Sequence, residues 1–228
     1  METGINNIAT SGDQAVPVVC IGMSAGGLKP LQTILQQLSP ATGMAFVLVC
    51  HLSRTEPTFL PRLISNWSRM PAGLVQPGEL LEPNHIYVIP PGQEITIEDE
   101  HFGVQPRSKR YGWSNVITLF LNSLVRSRKP PGIAVILSGD DSDGAAALGP
   151  FHNSGGITIA QDVRSAKNKS MPRSAIGTGF VDYVLLPEAV AGALETIARD
   201  CAVPEQCMPG RSLGIPTEAS ALPCHIGV

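Results

Sequence analysis

The sequence predicts an α/β fold: a doubly wound, mostly parallel sheet flanked by helices, with a small antiparallel hairpin excursion. Three observations predict it. Short apolar runs at residues 16–21, 45–50, 133–137 and 157–160 read as strands buried on both faces, the habit of parallel sheets. Segments with apolar residues at helical spacing alternate with those runs, the pattern of βαβ units with right-handed crossovers. The composition, 43% hydrophobic and 15% charged over 228 residues, suffices for one buried core.

Taken in order, residues 16–21 form the first strand and pass through the turn "GMSAGG" into a helix marked by Leu28, Leu31, Leu35 and Leu38. Residues 45–50 form the second strand, closing on His51, and residues 58–67 read as helical. From 78 to 104 the pattern changes to short extended pieces, "HIYVIP" and then "EITIEDEHFGVQ". Pro90, Pro91 and Gly92 turn the chain between them, which predicts the hairpin-like excursion. Residues 116–125 are helical, stopped by basic residues and by Pro130 and Pro131. The 133–137 strand ends in "SGDDSDG"; a short helix at 145–152, closed by Gly155, and the 157–160 strand follow. "MPRSAIGTG" predicts a short helix, residues 182–186 a strand, and residues 188–200 a last helix with Pro187 near its start. The expected organisation is an extended or disordered N-terminus at 1–14, one domain at 15–200, and a Pro-containing tail at 201–228.

The net charge of −3 gives no reason to expect nucleic acid or an anionic membrane surface as partner. No run approaches the roughly 18 apolar residues of a membrane span, and the polar start lacks a signal-peptide pattern. Five cysteines, at 20, 50, 201, 207 and 224, are an odd number with no CxxC pair, so buried reduced thiols are expected. His85, His101, His152 and His225 form no metal-ligand spacing and are expected to be structural or surface residues; no metal site is expected, Cys224-His225 being too short a signal. The basic run from Arg107 to Arg110, ahead of Tyr111 and Trp113, reads as a solvated loop.

The turn after the first strand admits two chemistries. Gly22-x-Ser24-x-x-Gly27 is a degenerate dinucleotide fingerprint, and a turn of this kind can cradle a phosphate. That reading asks for an acidic residue about 20 residues on, at the end of the second strand; this chain has Cys50 and His51 there. The other chemistry is a nucleophilic serine. In a doubly wound sheet, sites form beyond the carboxyl ends of strands where the strand order reverses. Ser24 follows the first strand, His51 the second, and Asp143 the 133–137 strand, the expected neighbour on the first strand's other side. A serine hydroxyl needs an imidazole to take its proton, and the imidazole needs a carboxylate to fix its tautomer. Such a base, at an ordinary histidine pKa, predicts activity rising between about pH 6 and 7.5. Taken singly, each residue also has a structural explanation. Ser24 could cap a helix, His51 could be a polar residue at a loop entry, and Asp143 could cap the short helix after it. Asp140 and Asp141 compete with Asp143 for the triad role.

Together these stretches resemble the catalytic domain of the chemotaxis protein-glutamate methylesterases, the CheB-type enzymes. "IGMSAGG" is similar to that family's serine turn, "VLVCHLS" to its histidine strand end, and "VILSGDDSDGAAAL" to its aspartate loop. "MPRSAIGTGFVDYVLL" resembles its late helix–strand segment, and "PNHIYVIPPG" also fits. The resemblance implies a serine esterase that hydrolyses protein glutamate 5-O-methyl esters and releases methanol; related enzymes also deamidate glutamine. It implies Ser24 as nucleophile, His51 as base, Asp143 as orienting acid, and the backbone N–H groups of Ala25 and Asp140 as oxyanion donors. The implied partners are the cytoplasmic helices of methylated receptors or another methylated protein, with a separate receiver or methyltransferase protein as a further class. It implies no cofactor, no nucleic acid, no membrane insertion and a cytoplasmic location.

Three departures stand out. About 15 residues precede the first strand, so the receiver domain usual before this module is expected to be absent. Ala25 replaces the threonine often found after the serine. Asp140 stands where the family usually has an apolar or neutral residue, often methionine, and Asp141 where glycine is common. Two carboxylates beside a developing oxyanion are expected to oppose it. The alternatives are therefore a catalytically impaired homologue serving as a binding module, and a nucleotide-binding α/β domain.

Overall fold

The computed structural model describes residues 15–53, 55–107, 115–128 and 132–201. The expectations for residues 1–14, for the tail after residue 201 with its Cys207, Cys224 and His225, and for Lys109, Arg110, Tyr111 and Trp113 lie outside the described residues.

The elements are β1 (Val18–Met23), α1 (Leu28–Gln37), β2 (Ala45–Cys50), α2 (Leu60–Ser65), β3 (Ala72–Leu74), β4 (Ile86–Val88), β5 (Gln93–Glu98) and β6 (His101–Pro106). They continue with α3 (Val116–Ser127), β7 (Ile133–Ile136), α4 (Ala145–Asn153), β8 (Ile157–Gln161), α5 (Ser170–Gly177), β9 (Tyr183–Leu185) and α6 (Pro187–Cys201). Seven strands form one parallel sheet in the order β3-β4-β2-β1-β7-β8-β9, and β5 and β6 form a separate antiparallel pair.

Strands β1, β2 and β7 are buried along their whole length, which is why they read as unbroken apolar runs rather than alternating ones. Helix α1 buries Leu31, Ile34 and Leu35 at helical spacing and packs against α6, while α3 packs against α4 and the hairpin. The chain leaves β1 outward to β2, β4 and β3, then returns to build β7, β8 and β9 on the other side. The order thus reverses at β1. Met23 pairs with Cys50, and Gly22 with Ile136, so the loops after β1, β2 and β7 open at one level of the sheet.

One segment differs from expectation. "HIYVIP" is not part of the excursion: its strand β4 lies in the main sheet, with Phe46 opposite Ile86 and all three residues buried. The edge strand β3 beyond it had no sequence signal, since three residues are too few to show a period. The excursion is the β5–β6 hairpin alone. Its turn places Asp99 and Glu100 at φ of 46° and 64°, as a type I′ turn demands, although neither is glycine. Buried Arg128 holds that turn, its guanidinium on the Glu100 carboxylate at 2.5 and 2.6 Å and on the Val16 carbonyl. Among the described residues, no helix is long and apolar enough to cross a membrane.

Candidate active site

Ser24 is the first residue after β1, in a turn that reaches α1 at its N-cap, Gly27. The turn needs glycine at position 26, where φ is +78° and an added Cβ would lie 2.6 Å from Ser138 Oγ. Ser138, buried in the loop after β7, ties the turn down. Its carbonyl accepts the Ser24 N–H at 2.9 Å, and its hydroxyl donates to the Ala25 carbonyl at 2.8 Å and accepts the Asn168 N–H at 3.0 Å. Gly139 follows, so close that a Cβ there would stand 3.0 Å from Ser24 Cβ and 1.9 Å from Met171 Sδ. The serine turn and the aspartate loop are therefore packed as one unit.

Asp143 is the best-anchored group in the site. Its side chain is 1% exposed and sits on the N-terminus of α3. Oδ2 accepts the Ile117 N–H at 2.9 Å; Oδ1 accepts the Thr118 N–H at 2.9 Å, the Thr118 hydroxyl at 2.8 Å and the Gly144 N–H at 2.8 Å. An anion on free helix N–H groups and on the positive end of the dipole is held by charge-assisted bonds. The expected capping role is thus realised on a different helix. Asp143 caps α3, across 25 residues of chain, while α4 has Gly144 as its N-cap and no side-chain cap.

His51 lies between two carboxylates. Its Nε2 is 2.9 Å from Asp143 Oδ2, and its Nδ1 is 2.9 Å from Asp141 Oδ2. Asp141 also accepts the Asp143 N–H on its other oxygen at 3.0 Å. Burial alone would lower the His51 pKa, but hydrogen bonds and charge from Asp141 and Asp143 outweigh it and push it up to about 9. That value lies above the ordinary histidine pKa assumed in the sequence-based expectation of a rise between about pH 6 and 7.5. For Asp141 burial acts to raise the pKa, yet the His51 bond and the Asp143 N–H hold it below the ordinary carboxylate value.

Ser24 and His51 line one cavity of about 730 Å³, with Lys29, Lys167, Phe59 and Leu63 at its walls. Among the described residues, no hydrogen bond joins Ser24 to His51, and neither the Ala25 nor the Asp140 N–H donates to a protein acceptor. Asp140 turns outward and accepts from Asn168 Nδ2 at 2.5 Å. Desolvation pushes the thiol of Cys50, which lines the cavity, up to about 12, and also raises Cys20, so neither supplies a thiolate at neutral pH. His85, His101 and His152 bind Glu82, the Asp99 carbonyl and Asp182 away from this cavity.

Of the residues singled out in the sequence, Ser24, Ala25 and His51 meet at the cavity, and Asp143 reaches it through His51. Two contributors carried no signal in the sequence, Ser138 as the tie between loops and Thr118 as the support of Asp143; Asp141, which reads in the sequence as a rival of Asp143, binds His51 alongside it rather than in its place.

A serine, a histidine and paired carboxylates at the central strand ends make this an α/β domain with its site at the topological switch point. Residues 19–194 match the family described as CheB methylesterase. The chain is 29% identical over 191 residues to the protein-glutamate methylesterase/protein-glutamine glutaminase of group 3 operon of Rhizobium meliloti, covering 83% of this chain and 54% of that one. It is 30% identical over 182 residues to the protein-glutamate methylesterase/protein-glutamine glutaminase of Geobacillus kaustophilus, covering 78% and 52%. The crystal structure of the Thermotoga maritima CheB methylesterase catalytic domain superposes with a TM-score of 0.71 at 25% identity, covering 80% of this chain and 98% of that one. The chain belongs to the CheB methylesterase family. It spans about half the length of these two curated relatives.

Proposed function

We propose that the domain is a serine esterase that hydrolyses glutamate 5-O-methyl esters on a protein. The observation that carries this reading is His51, held at Nε2 by the buried Asp143 carboxylate while it faces the same cavity as Ser24. In this reading Ser24 Oγ attacks the ester carbonyl carbon as its proton passes to His51. The N–H groups of Ala25 and Asp140, both without a protein acceptor among the described residues, receive the oxyanion. Collapse of the tetrahedral adduct breaks the C–OMe bond, and His51 returns the proton so that methanol leaves. Water then attacks the acyl-serine, again losing a proton to His51, and glutamate and Ser24 are restored. A glutamine substrate would follow the same path with ammonia as leaving group.

The proposed partner is a methylated receptor helix or another methylated protein in the cytoplasm, with a receiver or methyltransferase protein as a second class. Ser24→Ala should lower methanol release from a methylated receptor by roughly 10⁴- to 10⁶-fold while leaving the fold intact. Equal rates for the two proteins would refute the assignment.

One observation favours a second reading. Both His51 ring nitrogens face carboxylates, an arrangement that also suits an impaired homologue acting as a binding module. A fluorophosphonate separates the two, because only an activated Ser24 is labelled.

A further inference from the structure

Asp141 does something that the esterase reaction does not require. It places a second carboxylate on His51, opposite the first, with both His51–carboxylate contacts at 2.9 Å. A ring flanked by two acceptors satisfies both only when each nitrogen carries a proton. The serine hydroxyl, in contrast, needs a nitrogen lone pair to receive its proton. One imidazole cannot meet both demands at once.

The two carboxylates are not equivalent. Asp143 accepts from Ile117, Thr118 and Gly144 besides His51, and its side chain is 1% exposed. Asp141 accepts from the Asp143 N–H and His51 within a loop, and its side chain is 10% exposed. The Nδ1 contact is therefore the one that can open. Other charges line the cavity that the ring faces: Lys29 of α1, Glu56 of the loop after β2, and Lys167 of the loop before α5. Arg107, after β6, acts on the neighbouring Cys50. None of them is in the hydrogen-bonded contact with the ring that Asp141 and Asp143 make.

We propose that Asp141 is a positioning residue that latches His51 in a resting state, and that ester cleavage begins only when Asp141 releases Nδ1 and a ring nitrogen becomes free for Ser24. The proposal rests on the esterase reading above. Its consequence is a domain whose base is held charged at neutral pH and which is switched on by whatever frees that contact, alkaline pH in the simplest case.

The test compares the wild-type protein with Asp141→Asn and Asp141→Gly. Asn retains an acceptor for the Asp143 N–H, so it guards against loss of the loop in the glycine variant. Two quantities are read against pH: the titration of the His51 ring by NMR, and the rate at which a fluorophosphonate labels Ser24. The titration midpoint should fall in both variants from about 9 towards the ordinary 6.5, and labelling at pH 7 should rise by about tenfold or more as the neutral fraction grows. Labelling of all three proteins with one common pH midpoint would overturn the latch while leaving the esterase reading intact. Absence of Ser24 labelling from all three at every pH would instead refute the esterase reading, and the latch with it. A midpoint that falls in the variants without faster labelling would also overturn the latch, because freeing His51 would then not activate Ser24.

Discussion

The double hold on His51 should be visible in folding stability, without any substrate. The folded-state pKa of about 9 lies above the ordinary 6.5 that applies in the unfolded chain. The folded state therefore binds a proton more tightly, and the associated stability is fully present below pH 6.5. It is lost as pH rises through about 9. A difference of that size would correspond to roughly 3 kcal/mol if undiluted. The ring is partly open to the cavity, and solvent screening reduces the expected loss to about 1–2 kcal/mol. Cys20 and Cys50 add a loss of the same sign above pH 9, because both are raised from 9.0 in the folded state. Asp141 acts in the opposite sense and far away: its pKa is depressed, so its share is lost only as pH falls through values below 3.8. The control is His51→Gln, which cannot titrate but leaves the thiols in place. Urea unfolding of both proteins at steps from pH 6 to 10 should give a difference curve that falls between pH 6.5 and 9. Parallel curves for wild type and His51→Gln across that window would refute the double carboxylate hold.

Two further outcomes follow from the geometry. Gly26→Ala forces an L-residue to φ +78° and a Cβ to 2.6 Å from Ser138 Oγ; it should lower stability by about 1–3 kcal/mol, measured by denaturant unfolding, and reduce Ser24 labelling as the turn shifts. Thr118→Val removes the hydroxyl that donates to Asp143 Oδ1 and accepts the Gly144 N–H; a loss of about 1–3 kcal/mol and a lower Tm are expected, since a buried acceptor and a buried donor each lose a partner.

How much of this was legible depended on whether the information was local. The strands β1, β2 and β7 could be read because burial on both faces leaves each an apolar run. Their neighbour relation followed from the topology of doubly wound sheets, and it carried Ser24, His51 and Asp143 to one crevice. The edge strand β3 fell outside because three residues show no period, and β4 reads as an extended piece whose partner in the main sheet no local pattern marks. The support of Asp143 by α3 fell outside for a different reason: Thr118 and Asp143 are 25 residues apart, and nothing in either segment marks a side chain that crosses to another helix's N-terminus. Asp141 shows the limit most plainly. As a residue type in a loop it reads both as a rival of Asp143 for His51 and as a charge that opposes an oxyanion; only its side-chain direction shows that it binds His51 on the nitrogen that Asp143 leaves.

The same directional information bears on the phosphate cradle. A phosphate-binding turn uses glycine so that the ligand can approach the backbone where a Cβ would stand. In this turn those places are taken by the protein itself. A Cβ on Gly26 would lie 2.6 Å from Ser138 Oγ, 2.8 Å from Asn168 Oδ1 and 2.9 Å from Lys167 Cβ, and one on Gly27 would lie 2.7 Å from Met23 Cβ. Two of the turn's N–H groups are spent internally, Ser24 on the Ser138 carbonyl at 2.9 Å and Gly27 on the Ser24 carbonyl at 3.0 Å. The glycines thus serve to bring the β7 and β8 loops against the turn, not to admit a ligand. What that packing leaves facing the cavity is Ser24, next to a histidine whose two nitrogens are held by carboxylates rather than by the single ribose-binding acid a dinucleotide would ask for.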